Sequence, residues 1–106
     1  MNKELAMQWV KALRSGKYNQ GRWQLRSNQN QYCCLGVLCD ISNKSDWVKP
    51  GHSWEYLGQD VELNFELREE LGLSGRAMTS LIEMNDEDTR SFNDIADYIE
   101  ANYENL

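Results

Sequence analysis

The sequence predicts an α+β fold that is mainly helical, about four to five helices with one small β-hairpin, in a single domain spanning residues 1–106. Three observations carry that prediction. Apolar residues recur at i, i+4 and i+8 near the start of the chain and again through its last third, the spacing of one buried helix face. Residues suited to capping stand before those stretches, and glycines follow two of them. Between the helical regions, Trp23 and Leu25 alternate with polar residues ahead of a polar tetrapeptide, which is a hairpin pattern. A chain of 106 residues has material for one thin core, so most large apolar side chains are needed for packing.

The first helix follows Asn2 as N-cap, with Leu5, Ala6, Trp9, Val10 and Leu13 on two adjoining rows; Ser15-Gly16 ends it. Trp23/Leu25 predict one strand, Ser27–Asn30 a hairpin loop, and the Gln31–Cys33 region a second strand. Residues 34–41 are apolar almost throughout. Asp40 is awkward in a central strand, and Leu35, Leu38 and Cys39 fit i, i+3, i+4, so a short core helix is favoured. Residues 42–60 read as an irregular connection broken at Asn43, Pro50, Gly51 and Gly58, packed down by Trp47, Trp54 and Tyr56. Three helices follow. Leu63, Leu67 and Leu71 form the first, stopped by Gly72 with Leu73 folding back; Ser74 caps the second, with Ala77/Leu81 and Met78/Ile82 as its stripe. Asn85–Asp88 is a polar break, and Ser91 with Asp94 caps the third, which buries Phe92, Ile95, Ala96 and Ile99.

The net charge of −6 is unevenly spread: residues 1–53 carry 8 basic and 3 acidic side chains, residues 54–106 carry 3 basic and 14 acidic. An acidic chain is a poor ligand for duplex nucleic acid, whose binding depends on neutralising phosphates. No stretch approaches the roughly 18 apolar residues of a membrane span, and Met1–Glu4 lead into an amphipathic pattern without the apolar region of a signal peptide. The odd, clustered cysteines (Cys33, Cys34, Cys39) are unlike a disulfide framework and suit a reducing cytoplasm.

Four constellations invite a chemical reading. A Cys34–His52 dyad would need a thiol of depressed pKa, yet the cysteines lie in an apolar run where burial raises it. Zinc would need Cys33, Cys34, Cys39 and His52, a spacing foreign to structural zinc sites. Asn85–Asp88 is rich in oxygen but lacks the EF-hand pattern, and reads as a solvated turn. The fourth cluster, at a helix-to-strand junction, holds Arg14, Lys17, Tyr18, Gln20, Arg22 and Trp23: cations for an anion and rings to stack on a base. Cations at a helix C-terminus also balance its dipole. With no phosphate-binding glycine loop of Walker or Rossmann type, no cofactor is expected.

The segments Lys11–Tyr18, Gln20-Gly21 and Tyr32–Asp40 (YCCLGVLCD), with Met84–Asp86 and Ser91–Glu100, resemble a family of small uncharacterised proteins of tailed bacteriophages and prophages. The resemblance implies a protein made in the cytoplasm of an infected bacterium; it carries over no activity and no catalytic residue. The expected function is that of an accessory binding protein without catalysis. It would block a host defence protein through the acidic helices 62–71 and 91–104, or sequester a small anionic ligand such as a signalling nucleotide through Arg14, Lys17 and Arg22. The alternatives are a small enzyme using Cys34 and His52 or a carboxylate pair, and a structural or assembly factor.

Overall fold

A computed structural model covering residues 1–106 contains five α-helices and two small two-stranded sheets. Helix α1 (Lys3–Arg14) begins where the Asn2 side chain accepts from Leu5 N (3.2 Å), and it buries Ala6, Trp9, Val10 and Leu13. The Trp9 indole N–H donates to Cys34 O (2.9 Å), fastening α1 to the central helix. That helix, α2 (Cys34–Ser42), buries every residue from Cys34 to Cys39, as expected of an element apolar all round. It ends at Asn43, which is left-handed (φ 54°).

Helix α3 (Phe65–Leu71) starts two residues after Leu63, because the Asn64 side chain accepts from Leu67 N (3.0 Å) and fixes the boundary there. Gly72 (φ 74°) and a bond from Leu73 N to Arg68 O close it, and Leu73 folds back into the core. Helices α4 (Gly75–Asp86) and α5 (Phe92–Asn102) are capped by Ser74 and Ser91. One apolar core draws on all five helices, with α1 packed between α5 and α2.

The strands differ from expectation in place. Strand β1 (Asn19–Gln20) pairs in parallel with β2 (Gln31–Tyr32), Asn19 opposite Gln31. Of the hairpin predicted from Trp23 to Cys33 there remain an antiparallel bridge from Arg26 to Tyr32 and the turn between them, closed by Ser27 N to Gln31 O (2.8 Å). Leu25 is fully buried, but Trp23 is no strand residue: its backbone is left-handed (φ 72°) and its side chain stands in solvent.

A true hairpin lies in the segment read as irregular, where β3 (Trp47–Val48) runs antiparallel to β4 (Glu55–Tyr56). The Tyr56 hydroxyl organises it, accepting from Lys44 N (2.8 Å) and Ser45 N (2.9 Å). An aromatic row of Tyr18, Tyr32, Trp47 and Tyr56, at edge-on centroid spacings of 5.1–6.0 Å, seals this side of α2. Asp40 at the end of α2 accepts from the Tyr18 hydroxyl and from Trp47 Nε1 (3.0 Å), which explains a carboxylate after so apolar a run. The Arg26 guanidinium lies 3.9 Å from the Trp54 ring centre and donates to Asn30 Oδ1.

Candidate functional site

The thiols belong to the core. Cys34 and Cys39 are fully buried and Cys33 is 5% exposed. Burial pushes the Cys33 thiol up to about 12, against the pull of the α2 amides, and raises Cys34 and Cys39 as well. Cys34 Sγ points at Leu81 O (3.7 Å) on α4, while His52 is exposed in the β3–β4 loop. No three His, Cys, Asp or Glu side chains converge as metal ligands would.

Thiols held protonated by burial make stability depend on pH. Below about pH 8 both folded and unfolded chains keep these protons, and the thiols contribute no slope. Above the ordinary thiol value of 9.0 the unfolded chain releases protons that the native state retains, so stability falls as pH rises. Each thiol steepens the loss by up to about 1.4 kcal/mol per pH unit, ending near pH 12 for Cys33. Urea midpoints are therefore expected to drop sharply between pH 9 and 11, and iodoacetamide at pH 8 is expected to label the chain only at its unfolding rate. Rapid labelling of one cysteine in the native state contradicts this assignment.

The side chains of the basic cluster near the end of α1 take different roles past the left-handed Gly16. Arg14 donates to Asp97 (2.6 Å) and Glu100 (3.2 Å) of α5, which raises its pKa through the Glu100 bond first and the Asp97 bond second. Tyr18 is committed to Asp40. Gln20 turns inward, its side-chain N–H groups donating to Asn85 Oδ1 (2.9 Å) and Arg90 O (2.8 Å). Arg22 and Trp23 are exposed on the following loop. Four of the six still border adjoining grooves: Lys17 and Tyr18 line one of about 360 Å³ with Lys11 and Ile41, Arg14 and Lys17 a second of about 550 Å³ with Lys11 and Glu100, and Arg14, Tyr18 and Gln20 a third of about 280 Å³ with Ser91 and Phe92.

Asn85 and Asp86 correct the reading of Asn85–Asp88 as a solvated turn. Helix α4 continues through Asp86, and the two side chains are 0% and 7% exposed. Asn85 Oδ1 accepts from Gln20 Nε2 and from Cys34 N (3.3 Å), and its Nδ2 donates to Gly21 O (2.8 Å) and Asp86 Oδ1 (2.8 Å). It thereby ties α4 to the start of α2 and to the loop that carries Trp23. The signal for it is periodicity: Asn85 is i+4 from Leu81 and i+8 from Ala77, on the buried stripe.

The exterior is acidic. Glu66, Glu69 and Glu70 on α3, and Asp94, Asp97, Glu100 and Glu104 on and after α5, are exposed. Beyond Arg14, the ion pairs include only Lys44 with Glu70 (3.7 Å). No helix is long and apolar enough to cross a membrane.

No curated protein and no solved structure matches the chain. Residues 1–70, from α1 to the end of α3, match the family described as a domain of unknown function (DUF8296). That span holds both sheets, the buried thiols and the basic cluster, and the protein belongs to that family.

Proposed function

We propose that the protein is a non-catalytic accessory binding protein of phage type, acting in the cytoplasm of an infected bacterium by occupying the surface of a host protein. The phage-type context rests on the resemblance of the YCCLGVLCD and Ser91–Glu100 segments. One observation carries the mode of action. Arg14, a cation that would hold an anion, is already engaged by Asp97 and Glu100, whereas Glu66 and Glu69 on α3 and Asp94 and Glu104 at α5 are exposed and in no ion pair. The buried, protonated thiols also support a role without nucleophilic chemistry. Acidic faces of this kind steer and orient a basic partner more than they add raw affinity.

The test reverses charge at carboxylates that hold no ion pair: Glu66→Lys with Glu69→Lys on α3, and Asp94→Lys with Glu104→Lys at α5. Loss of a specific partner from pull-downs in the native host, with a steep dependence of the wild-type interaction on salt, is the expected result. A partner profile unchanged by both pairs refutes the reading.

A second reading has its own observation. The adjoining grooves that share Lys11, Ser15 and Lys17 fall within the size range of small-molecule sites, and sequestration of an anionic nucleotide there would raise the melting temperature. Lys11→Glu with Lys17→Glu abolishes that rise if the groove is the site.

A further inference from the structure

Four of the large apolar side chains left in solvent, Trp23 (58% exposed), Leu57 (47%), Val61 (41%) and Phe65 (59%), lie on two segments that touch. Leu25 N donates to Asp60 O (2.8 Å), which sets the Trp23 segment beside the 57–65 loop. Within that loop the Gln59 side chain donates to Tyr56 O and accepts from Asn64 N, so residues 56–65 form one ledge.

Two of the four are held out against their backbone preference. Trp23 (φ 72°) and Leu57 (φ 52°) are both left-handed, a region that bulky L-residues avoid. Leu57 and Gly58 (φ 80°) are the centre of a two-residue turn closed by Gln59 N to Tyr56 O (3.0 Å), the backbone of a type I′ turn. Asn-Gly is the pair that such a turn prefers. Leucine there leaves 47% of its surface in solvent. Backbone strain kept for a solvent-facing side chain is a mark of a functional surface.

The rim selects the occupant. Asp60, Glu62, Glu66 and Glu69, all exposed, flank Val61 and Phe65 along the chain, with Arg68 over the Phe65 ring (5.8 Å) and Arg22 next to Trp23 in sequence as the cations. A second copy docking through the same patch would bring together two rims that each carry four carboxylates against two guanidinium groups, a net repulsion. Building on the binding role proposed above, we propose that Trp23, Leu57, Val61 and Phe65 are the apolar centre of the partner-binding surface, seated in an apolar groove of a host protein bordered by Lys and Arg. Aromatic side chains surrounded by a charged rim are the usual carriers of binding energy.

The test incorporates p-benzoylphenylalanine at position 65 or, as control, at position 48, where Val48 is equally exposed but lies off the ledge. The full chain is irradiated in its native bacterial host, and the protein cross-linked at 65 is identified by peptide mass and purified. Trp23→Ala and Leu57→Asn are expected to weaken its binding at least about tenfold, and Val48→Ala less than twofold. Leu57→Asn keeps the result free of folding artefacts, because relief of the turn is expected to raise the melting temperature by about 3–6 °C. An adduct only with another copy of the chain, no adduct at 65, or full affinity in Leu57→Asn each overturns the proposal. If binding is lost in the charge-reversed variants but kept in Trp23→Ala and Leu57→Asn, the binding role stands and this surface falls; if neither set matters, both fall.

Discussion

Gly36→Ala is expected to destabilise the fold by about 3–5 kcal/mol or to prevent folding altogether. Helix propensity argues the other way, since alanine is better than glycine inside a helix by about 1 kcal/mol. Geometry decides the sign. A Cβ at Gly36, in the first turn of α2, would lie 1.8 Å from Leu25 O and 2.8 Å from Leu25 C. Leu25 has nowhere to withdraw: its side chain is fully buried, its carbonyl accepts from Cys33 N (3.3 Å) and its N–H donates to Asp60 O (2.8 Å). Moving it breaks those bonds and loosens the segment that carries Trp23. Gly75→Ala is the matched control, because its Cβ would meet only the flexible end of Arg68 at 3.2 Å. That variant is expected to gain a few tenths of a kcal/mol, up to about 0.5. Urea unfolding measures both; Gly36→Ala within about 0.5 kcal/mol of the parent, the range of innocuous substitutions, contradicts the close approach of α2 to Leu25.

The helices were legible because their signals are local. The caps at Asn2, Ser74 and Ser91 each accept from the amide three residues on, a bond that needs nothing from the rest of the chain. The α2 helix was legible from the spacing of Leu35, Leu38 and Cys39 within one apolar run, and the filling role of the cysteines from the same run. The strands were not legible in place, since two-residue strands carry no pattern of their own. The partner of β1 is chosen by tertiary bonds such as Gly21 N to Tyr32 O (2.8 Å), and Trp23 leaves the predicted strand because its φ is set by the loop that must deliver Gly21 O to Asn85.

The candidate site was less legible than the fold. Arg14, Lys17, Tyr18, Gln20, Arg22 and Trp23 are neighbours in sequence, but distant elements decide their roles: Arg14 pairs with α5, Tyr18 bonds to Asp40, Gln20 bonds to Asn85, and Arg22 and Trp23 stand in solvent. The exposed ledge had the opposite problem. Nothing in the spacing of Leu57, Val61 and Phe65 marks them as exposed; their exposure, on a loop joined to the Trp23 segment, is visible only in the fold.

Asn85→Ala is expected to cost about 3–5 kcal/mol without introducing any steric overlap. The alanine removes four hydrogen bonds at once. It leaves Gly21 O and Cys34 N buried without the partner they had, the condition under which a lost bond costs its full desolvation penalty rather than its modest net value. Asn85→Asp separates this account from simple loss of volume. A carboxylate keeps acceptors for Gln20 and Cys34 N, loses the donor to Gly21 O and sits beside Asp86. It is favoured only when protonated, so its folded-state pKa lies above its unfolded value. In the window between those two values the unfolded chain binds fewer protons than the native one, so the variant loses stability as pH rises through it, and the loss is complete above the folded-state value. Relative to the parent, Asn85→Asp is therefore expected to recover stability toward pH 4, where Asn85→Ala does not. The same hub orients the loop of Gly21 to Trp23 from within the core, so partner binding is expected to weaken in Asn85→Asp at neutral pH before global unfolding is reached. Equal pH profiles for the two variants contradict the hydrogen-bonding role, because a side chain that only fills space has no reason to titrate.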